Sequence, residues 1–84
     1  MIPIHQLLSR IRWDKEFGTG YFEVGCEDHY TKKLVRIPFT RIHFESGNQF
    51  SFRLEEETGE MLVIPFHRVR QVCRDGILIW SRAG

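Results

Sequence analysis

The chain is poor in cysteine, in long apolar runs and in charge of one sign. Cys26 and Cys73 are its only cysteines, too few for the disulfide framework of small secreted domains, so both are read as reduced, buried thiols. No stretch approaches the roughly 18 apolar residues of a membrane span. The opening MIPIHQLLSR lacks the early positive charge and long apolar core of a signal peptide, which points to a cytoplasmic protein without a membrane partner. Twelve Lys and Arg against eleven Asp and Glu leave a net charge of +1, excluding the uniformly basic surface of a bulk nucleic-acid coater. Gly-rich phosphate loops, a GxSxG elbow, HExxH and paired CxxC are also missing, and with them the strong catalytic signatures.

Eighty-four residues suit one small domain over residues 1–84, with a net stability of about 4 to 13 kcal/mol and no room for a large internal cavity. A ligand is therefore expected on the surface. Ile4, Leu7, Leu8 and Ile11 fall at i, i+3, i+4 and i+7, the stripe of an amphipathic helix over about residues 3–13. Trp13 would point almost opposite to that stripe. The expectation is that the helix has ended and the ring folds back onto the core; the alternative is an exposed stacking surface.

After the helix the pattern changes to period 2, with strands expected near 21–27, 34–37, 42–45, 50–55, 61–64, 69–73 and 77–80. Ser46-Gly47-Asn48, Thr58-Gly59 and Asp75-Gly76 are the turn signals, the last a strong two-residue hairpin signal. Phe50, Phe52 and Leu54 are expected on one buried face. Ile37-Pro38-Phe39-Thr40-Arg41-Ile42 returns as Ile64-Pro65-Phe66-His67-Arg68-Val69, an internal repeat with copies at about 21–47 and 49–76 and a final strand at 77–80. Proline cannot donate to a strand ladder, so each copy should turn a corner there. Phe39 and Phe66 would pin the corners, leaving Arg41 and Arg68 in matching positions. The fold class is mainly β with one N-terminal helix: a small rolled antiparallel sheet or partly open barrel with a pseudo-twofold repeat.

Charge is unevenly distributed. Residues 53–60 hold Arg53 against Glu55, Glu56, Glu57 and Glu60, a charge of −3, whereas Lys32 to Arg41 carries Lys32, Lys33, Arg36 and Arg41 without an acid; a bipolar molecule is expected. Nine of the twelve cations are Arg, whose planar fork suits phosphate or carboxylate. A zinc site would need Cys26 and His29 joined by Cys73 and one of His5, His43 or His67, but Cys73 stands among apolar neighbours, so neither metal nor cofactor is expected. His67, beside Arg68 and differing from Thr40 of the first copy, is the best acid–base candidate, with Asp28 or His29 as partners. A structural histidine bonded to backbone would read the same. Arginine-bearing corners with Trp13, Tyr21 and Tyr30 offer cations for phosphate and rings for unstacked bases.

Ile2-Pro3-Ile4 with Leu7-Leu8, Arg10-Ile11 and Trp13-Asp14, then Leu34-Val35-Arg36-Ile37-Pro38, then Ile64-Pro65-Phe66-His67-Arg68-Val69-Arg70 with Asp75-Gly76 and Trp80, resemble the RNA cyclic-group end recognition domain, a family of small archaeal and bacterial proteins, over essentially the whole chain. The family's fusions to RNA-ligation, polyadenylation and two-histidine phosphoesterase-like modules imply recognition of RNA 3′ ends bearing a 2′,3′-cyclic phosphate. The resemblance places the site at the Pro65-Phe66-His67-Arg68 corner and the segment ending at Asp28. His29 stands where the family usually has Arg, and an unperturbed imidazole is mostly neutral near pH 7.

The sequence thus favours an RNA-binding module over an enzyme. Arg68, Arg41, Arg36 and Arg70 would meet phosphate, His67, Asp28 and His29 the terminal group, and Trp13 or Tyr30 the last base. Two other readings stand beside it. One is a phosphoesterase using His67 as acid or base on the cyclic phosphate; the other is an interaction module docking on a ligase, polymerase or phosphoesterase of an RNA-processing complex.

Overall fold

The apolar stripe forms helix α1 (Ile4–Trp13), with Ile4, Leu7, Leu8 and Ile11 buried, in a computed structural model that describes residues 2–28, 30–48 and 50–82. Pro3 opens the helix at φ −62° and ψ 147°, and its carbonyl accepts from the Gln6 and Leu7 amides at 3.1 and 3.2 Å. Arg10 and Arg12 lie in the last turn, where cations complement the helix dipole. Asp14 then stops the helix and starts the next turn, its Oδ1 accepting from the Glu16 and Phe17 amides at 3.1 Å. Gly18 folds so tightly against this end that a Cβ would lie 2.4 Å from the Ile11 carbonyl oxygen.

Because α1 continues through Trp13, that side chain points away from the stripe. It is 69% exposed, with the Arg12 guanidinium 4.5 Å from its ring centroid. The expected return of the indole to the core does not occur.

The strands are β1 (Phe22–Glu27), β2 (Leu34–Pro38), β3 (Ile42–His43), β4 (Ser51–Glu55), β5 (Met61–Pro65), β6 (Val69–Arg74) and β7 (Ile77–Ser81). They form two antiparallel sheets, ordered β2-β1-β6-β7 and β3-β4-β5. The fold is mainly β with one N-terminal helix, as expected, and its two sheets do not close into a barrel. Each proline ends its strand, and the short 3₁₀ corner behind it carries the chain into the other sheet. The two sheets and α1 share one core, in which Phe52, Leu8, Val24, Val69 and Val72 are fully buried.

Two expectations about the middle of the chain need correction. β3 is only two residues long, because Phe44 leaves the ladder and packs partly buried against the core. Phe50 is 84% exposed and precedes β4. The Asn48 side chain is responsible: its Oδ1 accepts from the Phe50 and Ser51 amides at 2.9 and 3.2 Å, prolonging the turn. The Asp75-Gly76 hairpin forms as expected, with φ of 52° and 82° at its two residues, the positive pair that a type I′ turn requires.

The repeat is visible in the pairing. β1–β2 and β4–β5 are hairpins, and each is completed by the strand that follows the other copy's corner: β6 joins β1, and β3 joins β4. The hairpin registers agree residue by residue, and the exchanged strands agree up to a bulge between Gly25 and Cys26. Glu23 opposes Pro38 as Ser51 opposes Pro65, and Cys26 opposes Val69 as Leu54 opposes Ile42. β7 is an addition outside this pattern.

Candidate functional site

The two corners, Phe39–Arg41 and Phe66–Arg68, are single 3₁₀ turns entered from a proline with nearly the same backbone angles. Phe66 is buried and lies 5.4 Å from the Phe52 ring. Phe39 is partly buried between Phe22 and Phe44, at 6.4 and 6.0 Å. Both rings pin their corners as expected. Their surroundings differ. At the second corner Arg82 donates from Nε to the Val69 carbonyl at 2.9 Å and from Nη2 to the Phe66 carbonyl at 2.8 Å, and Arg70 Nη1 donates to the His67 carbonyl. Two guanidiniums thus bridge the carbonyls of this corner and the start of β6, adding to the Val69 amide that already donates to the Phe66 carbonyl. Desolvation, and secondarily the charge of Arg70, pull the Arg82 pKa below its usual range.

Each corner arginine faces a cleft walled by the loop of the other copy's hairpin. Arg68 lines a cleft of about 390 Å³ with Glu27, Asp28 and Tyr30 of the β1–β2 side and with Leu62, Val63 and Ile64 of β5. Arg41 lines one of about 490 Å³ with Glu55, Glu56, Glu57 and Thr58 of the β4–β5 side and with Val35, Arg36 and Ile37 of β2. The linings correspond under exchange of the halves. Val35, Ile37, Leu54 and Glu56 form a wall common to both.

Charge separates the twins. Arg41 Nη2 lies 3.5 Å from Glu57 Oε1, so the acidic hairpin partly neutralises its own cleft. Arg68 makes no ion pair with a described residue and is half-buried. The basic and acidic stretches of the sequence therefore do not make a bipolar molecule; Arg36 and Arg41 meet Glu55, Glu56 and Glu57 across one cleft.

The structure brings Arg68 and Asp28 to one cleft, and Arg36 and Arg41 to the other. Asp28 Oδ1 accepts from the Tyr30 and Thr31 amides at 2.9 Å each, shaping the loop. His67 is exposed on the corner. Arg70 is occupied structurally, its Nε 3.2 Å from Glu27 Oε2. Trp13 lines neither cleft, and His29 lies outside the described residues. Burial pushes the Cys26 thiol up to about 11, which leaves no thiolate nucleophile beside Arg68 at neutral pH. Among the described residues no three His, Cys, Asp or Glu side chains converge as a metal site, and no helix is long and apolar enough to cross a membrane.

Arg82 was not singled out by the sequence, and Glu56 was read only as part of the acidic run. Arg82 stands alone near the chain end and Glu56 inside an acidic run, so neither carries a local motif. Glu56 could have been found by aligning the hairpins with the one-residue difference in loop length, which sets it opposite Asp28.

The family model described as "MJ1316 RNA cyclic group end recognition domain" matches residues 1–82. The chain belongs to this family. A UPF0248 protein of Metallosphaera sedula is 37% identical over 81 residues, covering 96% of this chain and 94% of the relative. No solved structure matches. Membership in the MJ1316 family agrees with the resemblance carried by the proline corners and the N-terminal stripe.

Proposed function

We propose that this domain binds RNA 3′ ends terminating in a 2′,3′-cyclic phosphate, with the phosphate seated at Arg68 and the terminal nucleoside against the apolar β2 and β5 walls of the cleft. The observation that carries this reading is the contrast between twins: Arg68 keeps a half-buried guanidinium without an ion pair to a described residue, where Arg41 is matched by Glu57. A partly desolvated guanidinium is a strong bidentate phosphate donor. His67, exposed on the same corner next to Arg68 in sequence, would donate to the ribose or phosphate. The family description, with its RNA cyclic group ends, supports the same ligand class. Binding without turnover is the favoured form, because His67 stands exposed and the buried thiol is protonated.

The test is an NMR titration of labelled protein with three RNAs identical except for a cyclic phosphate, an open 3′-phosphate or a 3′-hydroxyl. Shifts centred on Arg68, His67 and the β5 wall with the cyclic end, and no conversion of that end over hours, are expected. Shifts confined to other surfaces would refute the assignment. Conversion of the cyclic end would make the domain a phosphoesterase, and silence with all three would favour a protein-docking role.

A further inference from the structure

Among the described residues the Arg68 cleft holds more carboxylate than cation. Its described ionisable lining is Arg68, Glu27, Asp28, Glu56, Tyr30 and Cys26. Glu27 is matched by Arg70, and Asp28 turns Oδ1 to the loop amides. Cys26, with its pKa near 11, is neutral at pH 7. Glu56 is different: half-buried, it makes no ion pair with a described residue and sits on the wall between the two clefts.

Possible RNA ends differ in charge. A cyclic phosphate is a diester with one negative charge, whereas an open 3′-phosphate carries about −1.5 to −2 at pH 7, with a second pKa near 6. One guanidinium matches the first. The second charge of the monoester finds no further unpaired cation among the described lining residues and meets the Glu56 carboxylate across a small, partly apolar cleft. We infer that Glu56 is a specificity-determining residue that makes the Arg68 cleft select a singly charged phosphodiester end over a doubly charged phosphomonoester end. This rests on the reading of Arg68 as the phosphate seat. It adds that charge, rather than the strained ring, is what the cleft discriminates.

A repulsion worth a factor f for one ligand charge is worth about f squared for two. For a partly screened carboxylate across such a cleft, f is about threefold. The experiment measures Kd by fluorescence anisotropy at low salt for RNAs ending in a cyclic phosphate, a 3′-methyl phosphodiester or a 3′-phosphate. The open methyl diester has the single charge without the ring. Wild-type protein should bind both diesters within about twofold of each other and the monoester at least threefold more weakly. Glu56→Gln should tighten the diesters about threefold and the monoester up to about ninefold, narrowing the gap. A wild-type series from pH 7.5 to 5.5 checks the same point without a substitution: the monoester should gain about threefold relative to the methyl diester as its second proton binds. A monoester bound as tightly as the cyclic end, a methyl diester as weak as the monoester, or an unchanged gap in Glu56→Gln would each overturn the inference while leaving the phosphate seat intact. If the cyclic end fails to bind, or binds equally well to Arg68→Ala, the seat itself is wrong and the inference falls with it.

Discussion

Arg70 lies 3.2 Å from Glu27 across β6 and β1, and exchange of the halves maps this pair onto His43 and Glu55, 3.4 Å apart across β3 and β4. The same cross-strand position sets a basic residue type beside a glutamate in both copies, but with different weight. The Arg70 and Glu27 side chains are 20% and 29% exposed, and Arg70 also donates to the His67 carbonyl. His43 and Glu55 are 46% and 53% exposed. Arg70→Ala should cost about 1 to 3 kcal/mol, since it leaves a shielded carboxylate and a carbonyl unpaired, whereas His43→Ala should cost less than about 0.5 kcal/mol. Urea unfolding of both variants decides this, and equal costs would refute it.

Arg68→Ala should weaken binding of a cyclic-phosphate RNA at least about tenfold and reduce the steepness of its salt dependence by about one counterion. Arg41→Ala should change affinity less than about twofold, because Glu57 already occupies that guanidinium. Anisotropy titrations at several salt concentrations compare the two. Equal losses would mean that the twin clefts are equivalent.

Arg82→Lys tests the second corner. A lysine ammonium cannot reproduce the fixed fork that spans the Phe66 and Val69 carbonyls. The variant should lose about 1 to 2 kcal/mol and show faster amide exchange around residues 66–69. Unchanged exchange at this corner would make Arg82 dispensable to it.

The Cys26 thiol gives the fold an alkaline weakness. Burial raises its pKa from the ordinary 9.0 to about 11, so between those values the folded chain keeps a proton that the unfolded chain has lost. Stability therefore falls as pH rises through this window, by up to about 1.4 kcal/mol per pH unit from this group. Cys26→Ala should be less stable than wild type at pH 7 and should close part of that difference by pH 10 in guanidinium unfolding. Parallel pH profiles would show that the thiol is not held protonated.

Much of this architecture is written in local patterns. The Ile4-Leu7-Leu8-Ile11 stripe specifies α1, Asp75-Gly76 specifies the last hairpin, and the paired Ile-Pro-Phe segments mark both corners. What local pattern could not supply was the partner of each segment. A rolled sheet or partly open barrel was expected, and nothing in Pro38 or Pro65 says that the chain crosses there to a second sheet. Phe50 was expected inside because alternation alone cannot register the Asn48 turn that displaces it. The site follows the same division. Arg41 and Arg68 were legible as equivalents through the repeat, but their unequal charge depends on Glu57, sixteen positions from Arg41 and brought there only by folding. Arg70 was read as a phosphate ligand from the sequence, which could not show that folding sets it beside Glu27 and the His67 carbonyl.

The exchange of β3 and β6 between the two hairpins also bears on how such a chain can arise and assemble. Neither half completes a three-stranded sheet with its own strands, so no half is a finished folding unit that the other merely decorates. A single βββ segment would have to associate with a second identical segment, each lending its third strand, before either buried its apolar face. The present chain has the topology of such a strand-swapped dimer joined end to end. Once fused, the halves are free to diverge without losing their mutual dependence, which is how one cleft can carry Glu57 against its arginine while the other leaves Arg68 without such a partner among the described residues.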